Sequence, residues 1–230
     1  LIDKIRIAGE VGYGAIELWH DDLDAYIEDG GTLADVKSAL ADQGLAVPTT
    51  IYLAGWFDAP PEAYPVVLEE CKRRMGQAAE LGAPYVIASP TAGEADYALG
   101  AVRYGELLEI GATMGVKPSM EFLGFVDQFT TIEDALDVMT RCGHSDATTI
   151  LDPFHVFRGG GDMESILKLK SGQVAISHFN DTPATPPREE QHDHNRVMPG
   201  EGHLDLARYC ALLREIGYDG WLSLELFNEK

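Results

Sequence analysis

The chain alternates short apolar or β-branched runs with longer segments in which apolar residues recur at helical spacing. Runs of this length and composition predict buried strands. Most of them begin about 30 to 40 residues after the previous one, which leaves room for a helix and indicates parallel βα units. The seven predicted strands are AIELW (15–19), AVPTTIYLA (46–54), YVIAS (85–89), KPSMEF (117–122), TTILD (148–152), QVAISHF (173–179) and WLSLELF (221–227).

Helix boundaries between these runs are marked by capping residues and glycines. Thr32 predicts the start of one helix and Gly44 its end. Thr131, followed three residues later by Asp134, predicts the start of another helix that ends at Gly143. Helical spacing also predicts an amphipathic helix at the N-terminus and two further helices that end at glycine, in the segments 1–14, 60–82 and 204–220.

This order of elements fits two architectures, an open doubly wound sheet and a (β/α)8 barrel. No Gly-x-Gly-x-x-Gly follows the first strand, which disfavours the dinucleotide-binding version of the open sheet. We therefore expect an α/β protein with a (β/α)8 TIM barrel. The chain begins inside a helix and stops after the last strand, so strand one and the last helix are expected to be missing. No linker divides the chain, and residues 1–230 are expected to form a single domain that is incomplete at both ends.

The composition is that of an ordinary globular protein, with 45% hydrophobic and 24% charged residues. No apolar run is long enough to span a bilayer, and the N-terminus lacks the architecture of a signal peptide. The three cysteines are far apart and lack metal-type spacing, which indicates reduced thiols. The sequence thus predicts a cytoplasmic protein without a membrane partner.

The chain is strongly acidic, with 38 acidic and 17 basic residues and a net charge of -21. Such a surface repels phosphate backbones, so nucleic acid is not an expected partner. An acidic balance also suits a protein that gathers divalent cations.

Four charged or imidazole side chains stand at the ends of four late strands, where the preceding residues should be buried. They are Glu121, Asp152, His178 and Glu225. In a parallel barrel the carboxyl ends of the strands meet on one face, which carries the active site. Three carboxylates and an imidazole converging there would cost several kcal/mol each without compensation. A single divalent metal ion with mixed oxygen and nitrogen ligands supplies that compensation.

These residues, and the segments around them, resemble the xylose isomerase-like TIM barrels, a family of sugar phosphate isomerases and epimerases, and most closely its inosose (2-keto-myo-inositol) isomerases. The resemblance extends over the whole chain. It is strongest in MEFLGF, LDPFHVFRGGGDMESI, SHFNDTP, NRVMPGEGHLDL and LSLELFN. Their order on successive strands is specific to the superfamily and much less specific to one substrate.

The resemblance implies a role for each of seven residues. The family's metal quartet falls on the four strand-end residues, and the two glutamates among them, Glu121 and Glu225, are the expected catalytic acid/base pair. Relatives use the equivalents of His155 and Arg196 against substrate oxygens, and they carry an active-site carboxylate at the position of Glu17, so all three are expected to bind substrate. Five aromatic residues near strand ends are further candidates for the pocket wall: Trp19, Trp56, Phe122, Phe125 and Phe154.

One branch of the superfamily, the endonuclease IV-like apurinic-site nucleases, holds three zinc ions. That branch needs histidines on earlier strands, which AVPTTIYLA and YVIAS lack. It also has aspartate and histidine at the positions occupied here by Asn195 and Val197. A single-metal site is therefore expected, with Mn²⁺, Mg²⁺, Zn²⁺ and Co²⁺ all compatible with the donor set.

The expected activity is that of a metal-dependent isomerase or epimerase of a small ketose or inosose. The metal would polarise the carbonyl and stabilise an enediolate while the glutamates move a proton between or on neighbouring carbons. A dehydratase of inosose or 3-dehydroshikimate type uses the same enolate chemistry and stays open as an alternative; an apurinic-site nuclease is less favoured. The expected partner is the small polyol or ketose substrate, and a homo-oligomer is compatible with the resemblance.

Overall fold

All seven predicted strands are present in the computed structural model, which describes residues 1–227. Each strand is shorter than its apolar run, because the last residues of several runs leave the sheet and turn toward its rim. The strands are β1 (Leu18–Trp19), β2 (Thr49–Leu53), β3 (Tyr85–Ala88), β4 (Lys117–Met120), β5 (Thr148–Leu151), β6 (Val174–Phe179) and β7 (Leu222–Leu224).

The strands form one parallel sheet in the order of the sequence, each paired with the next. This is the TIM-barrel topology, with seven of its strands among the described residues. Within residues 1–227, β1 and β7 are not paired with each other. A cavity of about 430 Å³ separates them, lined by Gly14 to Glu17 on one side and by Trp221 to Phe227 on the other.

Helices connect the strands and surround the sheet, as the βα pattern predicts. The capping signals are confirmed: Thr32 and Thr131 each form a capping box with the aspartate three residues later. Gly44 and Gly143 end these helices in the left-handed conformation, with φ of 65° and 66°. The helices are α1 (Ile2–Glu10), α2 (His20–Glu28), α3 (Leu33–Gln43), α4 (Tyr64–Leu81), α5 (Tyr97–Met114), α6 (Ile132–Cys142), α7 (Pro153–Arg158) and α8 (Leu206–Glu215).

The segment after β6 is irregular, with two 3-10 turns at Arg188–Glu190 and Asp193–Asn195. Its shape depends on Asp181, whose buried carboxylate accepts hydrogen bonds from the backbone N–H groups of Thr182, Gly200, Gly202 and Leu204. One carboxylate thus fixes the return of the chain that places Arg196 over the barrel. None of the helices within residues 1–227 combines the length and apolarity needed to cross a bilayer.

Two apolar clusters divide the interior. The larger one lies between the strands and the helices and includes Leu18, Val86 and Leu151. A smaller one fills the inside of the barrel and is built around Ile51, Ile87, Ile150 and Ile176. Side chains alternate between the two sides of a strand. Asp152 and His178 stand two places after Ile150 and Ile176 and therefore also face the inside of the barrel, one layer nearer its rim.

His20, at the start of α2, gives folding stability a defined pH dependence. It is fully buried against Gln77, and burial lowers its pKa to about 4. An unfolded histidine titrates near pH 6.5, so the unfolded chain takes up this proton first as the pH falls. The stabilisation is complete above about pH 6.5 and is lost toward pH 4.

We expect the difference in unfolding free energy between the wild type and His20→Gln to fall by about 2 kcal/mol from pH 8 to pH 5. Urea unfolding of the two proteins at both pH values measures this difference. Equal pH dependence of the two proteins would show that His20 is not the source.

Candidate active site

The four strand-end residues converge at the carboxyl ends of the strands. Glu121 and Asp152 directly follow β4 and β5, His178 is the next-to-last residue of β6, and Glu225 directly follows β7. All four face the inside of the barrel. The side chains of Asp152 and His178 are 1% exposed, that of Glu121 is 10% exposed and that of Glu225 is 15% exposed. Parallel pairing of successive strands brings Glu121 and Glu225, which are more than 100 residues apart in sequence, to one rim.

The imidazole of His178 lies at the centre of this group. Its Nδ1 atom is 3.0 Å from Glu225 Oε2, 3.6 Å from Asp152 Oδ2 and 3.9 Å from Glu121 Oε1. These are about the separations that ligand atoms have around one divalent ion, since each bond to the ion is about 2.0–2.3 Å long. The donor atoms of Asp152, His178 and Glu225 all lie within 4.8 Å of one another.

The two oxygens of Asp152 have different surroundings. Oδ1 accepts hydrogen bonds from the backbone N–H of Phe154, where Asp152 caps α7, and from the side chain of Asn180. Oδ2 is buried without a hydrogen-bond partner of good geometry among the described residues and faces His178 and Glu225. Capping the helix therefore fixes the carboxylate so that one oxygen is directed into the site.

Burial and neighbouring charges shift the pKa values of Glu121 and Glu225 in opposite directions. Burial, with the neighbouring charges of Glu225 and Asp152, raises the pKa of Glu121 to about 8. Burial also acts to raise the pKa of Glu225, but the charges of His178 and Arg196 outweigh it and lower that pKa to about 2. The site therefore holds more carboxylates than its own cations fully compensate.

The residues present fit a divalent metal ion. Asp152 Oδ2 and the Nδ1 atom of His178 are buried polar atoms without a hydrogen-bond partner of good geometry within residues 1–227. Such atoms are costly unless something binds them. Three carboxylates and one imidazole form a donor set that Mn²⁺, Mg²⁺, Zn²⁺ and Co²⁺ accept. The structure thus contains a candidate metal centre, and the role of each residue as a ligand stays a prediction.

Arg196 reaches the same rim from the loop after β6. Its Nη1 atom lies 3.1 Å from Asp152 Oδ2 and contacts Glu225 Oε2, and its Nη2 donates to Asp193 Oδ1 at 2.8 Å. The guanidinium packs on the ring of Phe154, 4.8 Å from its centroid, and is 1% exposed. A buried guanidinium with three carboxylate partners has its charge compensated within the site.

His155 lies beside the four residues on α7. Its Nδ1 accepts a hydrogen bond from the backbone N–H of Gly124 at 3.2 Å. This close approach requires glycine, since a Cβ at position 124 would lie 2.6 Å from the backbone nitrogen of Gly159. Its Nε2 lies 3.1 Å from Arg196 Nη2, a guanidinium nitrogen that can only donate, and 3.9 Å from Glu121 Oε1. His155 therefore contacts Arg196 directly at the wall of the site.

Glu17 approaches the group from the opposite side of His178. Its Oε1 lies 3.3 Å from His178 Nε2, and its Oε2 accepts a hydrogen bond from the hydroxyl of Thr49. The structure therefore brings Glu17 to the site through His178. Its predicted contact with substrate stays a prediction.

A cavity of about 380 Å³ opens directly above these residues, within the range of small-molecule sites. Trp19 and Phe125 line it, as expected. The other three candidates are not in its wall: Trp56 and Phe122 are buried in the outer apolar core, and Phe154 lies beneath Arg196. Sequence alone does not tell which side of a loop an aromatic ring packs against.

Two polar residues of the site were missed by sequence reasoning. Asp193 lines the cavity and pairs with Arg196, and Asn180 orients Asp152. Asn180 stands two residues after His178 in SHFND, a position that could have suggested it. Asp193 lies in a polar loop with no local signal.

Comparison with known proteins places the chain among proteins of this architecture. The family model described as "Xylose isomerase-like TIM barrel" matches residues 5–230. An inosose isomerase of Halalkalibacterium halodurans is 29% identical over 99% of this chain and 83% of its own length. A 3-dehydroshikimate dehydratase of Pseudomonas aeruginosa is 30% identical over 100% of this chain, which corresponds to 36% of that enzyme.

Among solved structures, the IolI protein with a bound zinc atom superposes with a TM-score of 0.92 at 26% identity. The match covers 100% of this chain and 84% of that one. The similarity therefore extends over all seven strands of this chain and the rim that carries the site.

Proposed function

The chain belongs to the xylose isomerase-like TIM-barrel family and is an enzyme of the isomerase or epimerase type, and we propose that it acts on a small hydroxy-ketone, a ketose or an inosose, with one divalent metal ion. The observation that carries the proposal is the convergence of Glu121, Asp152 and Glu225 around His178 Nδ1, at 3.0–3.9 Å, beneath a cavity of about 380 Å³. The named relatives in this family include inosose isomerases.

Glu121, Asp152, His178 and Glu225 would hold the ion. When bound, a divalent ion supplies Lewis-acid polarisation of a substrate carbonyl. The chain supplies the proton transfers: one glutamate removes the proton from the carbon beside the carbonyl and a glutamate returns a proton to that carbon or to its neighbour. Isomerisation results if both act on one face of the substrate, and epimerisation if they act on opposite faces.

Two other side chains contribute to substrate orientation. His155 lines the cavity beside Arg196 and would help to orient that guanidinium against a substrate oxygen on which negative charge develops. The guanidinium of Arg196 borders the same cavity and offers N–H donors to hydroxyl groups. The indole of Trp19 and the ring of Phe125 form apolar walls that limit the access of water.

The charges around the cavity favour an uncharged substrate. Among the described residues that line it, Arg196 is the one lysine or arginine, and its charge is already shared by Asp152, Glu225 and Asp193. A substrate carboxylate or phosphate placed away from the metal ion would meet the negative charge of Asp193 and Glu225, and the described lining has no second lysine or arginine to bind it. This supports inosose over 3-dehydroshikimate, although a relative acts on the latter by name.

The test is incubation of the metal-loaded protein with inosose and, separately, with 3-dehydroshikimate. Proton NMR in D2O should show deuterium entering the carbon beside the inosose carbonyl, together with a new isomer or epimer. An ultraviolet-absorbing enone or aromatic product would instead identify a dehydratase. No exchange and no product with either ketone would contradict the proposal.

Replacing Asp193 with Asn should shift this selectivity toward the anionic ketone. Removing one negative charge beside Arg196 is expected to raise kcat/KM for 3-dehydroshikimate relative to inosose by about tenfold, equivalent to about 1.4 kcal/mol. The exposed Asp42→Asn substitution is the matched control and should leave the ratio unchanged. A ratio that moves the other way would show that Asp193 does not repel anionic substrates.

A further inference from the structure

We propose that Glu17 is a positioning residue for His178: it accepts the Nε2 proton of that imidazole and so directs Nδ1 at Asp152, Glu121 and Glu225. The inference rests on the proposed metal site and is independent of the identity of the substrate. It differs from the role expected of Glu17 from family resemblance, which was direct contact with substrate.

The position of Glu17 in the barrel makes a hydrogen-bond partner necessary. Glu17 immediately precedes β1 and is on the same side of the chain as Trp19, so it faces the inside of the barrel. Its side chain is 7% exposed. A buried carboxylate needs donors for its oxygens, since an unpaired one costs several kcal/mol.

The neighbours of Glu17 supply two such donors. The hydroxyl of Thr49, on the adjacent strand β2, donates to Oε2. Oε1 then has His178 Nε2 as its close neighbour, at 3.3 Å. Thr49 thus holds one end of the carboxylate while the other end faces the ring of His178.

The two ring nitrogens of His178 have different surroundings. Nδ1 faces three carboxylates at 3.0, 3.6 and 3.9 Å, whereas Glu17 is the one carboxylate of residues 1–227 within 4.0 Å of Nε2. A neutral imidazole has one N–H and one lone pair. With the N–H directed at Glu17, the lone pair is on Nδ1, among the carboxylates, as a metal ligand must be. Ligand histidines commonly have a carboxylate on the other nitrogen, which fixes the ring and raises its basicity.

Glu17 lies at Nε2 of His178, whereas Asp152, Glu121 and Glu225 face Nδ1. Glu17 lines the cavity between β1 and β7 and is not among the residues that line the cavity above the quartet. A residue that acts only through His178 should affect metal affinity directly and substrate contacts indirectly.

The first measurement is Co²⁺ and Zn²⁺ affinity, by competition with a fluorescent chelator, for wild type, Glu17→Gln, Glu17→Ala and Thr49→Val. Loss of an outer carboxylate should weaken binding by about 10–100-fold. Glu17→Gln keeps an acceptor for the Nε2 proton and should lose less than Glu17→Ala. The exposed Glu80→Gln is the matched control and should bind as wild type. Far-UV circular dichroism identifies any variant that fails to fold, in which case Glu17→Gln and Thr49→Val carry the test.

The second measurement is the tautomer of His178, from ¹⁵N-labelled histidine NMR of the Zn²⁺-loaded protein. The signal is assigned by its loss in His178→Asn. Wild type should have the proton on Nε2, and the variants at position 17 should lose this exclusive preference. A merely structural role for Glu17 would not move this signal.

Two results would overturn the inference. One is equal metal affinity of Glu17→Ala and wild type, and the other is a proton on Nδ1 of His178 in the loaded protein. If wild type binds the metal ion tightly and Glu17→Ala binds it equally well, the proposed metal site stands and only the inference about Glu17 is wrong. Absence of metal binding by wild type would overturn the metal site and this inference together.

Discussion

Replacing Glu225 with Gln should lower kcat for the ketone substrate by between about a hundredfold and ten-thousandfold. The amide keeps the shape of the side chain but cannot move a proton, and acid–base groups contribute factors of this size. It also removes one negative charge from the group around His178, so metal affinity should fall as well. Steady-state assays at saturating metal separate the loss of proton transfer from the loss of metal.

Glu121→Gln should have an effect of similar size, because the mechanism uses both glutamates. The double variant should lose little more than either single variant, since groups that act as a unit are not additive. The exposed Glu80→Gln is the control for loss of a glutamate as such. Unchanged activity of Glu225→Gln would contradict the mechanism and would favour a barrel that serves as a binding or scaffold domain.

Replacing Arg196 with Met should destabilise the metal-free protein by about 3–5 kcal/mol, the cost of leaving buried charges without their partner. Arg196 is 1% exposed and contacts Asp152, Asp193 and Glu225. Methionine fills much of the space but leaves these carboxylates facing one another. Urea unfolding in the presence of a chelator measures the loss.

Saturating Zn²⁺ or Mn²⁺ should restore part of this stability, because a bound cation compensates the same carboxylates and ligand binding favours the folded state. Arg141→Met is the control: Arg141 is exposed and pairs with Asp137, and such surface pairs contribute about 0–1 kcal/mol. A loss for Arg196→Met no greater than that of the control would show that the carboxylates are compensated by other means.

The sequence predicted the strands and the rim because both follow from local patterns. Apolar runs located all seven strands, and the capping boxes at Thr32 and Thr131 located two helix starts. A charged residue after a buried run is conspicuous, which is why Asp152 and Glu225 could be identified without coordinates. Parallel pairing in sequence order then brings such residues to one rim.

The remaining features depend on contacts that no local pattern encodes. The loop after β6 brings Arg196, and Asp193 with it, to the rim through the hydrogen bonds of Asp181 to backbone groups about 20 positions further along the chain. The orientation of Glu17 toward His178 depends on the pairing of β1 with β2 and on the hydroxyl of Thr49. Trp56 and Phe122 lie at strand ends, but their rings pack outward into the core.

The most direct test of the central claim is anomalous diffraction at the absorption edge of Zn²⁺ or Mn²⁺ from crystals grown with that ion. The account predicts one anomalous peak in direct contact with Glu121, Asp152, His178 and Glu225. A peak bound by other residues, or crystals of active enzyme with no peak at this rim, would contradict it.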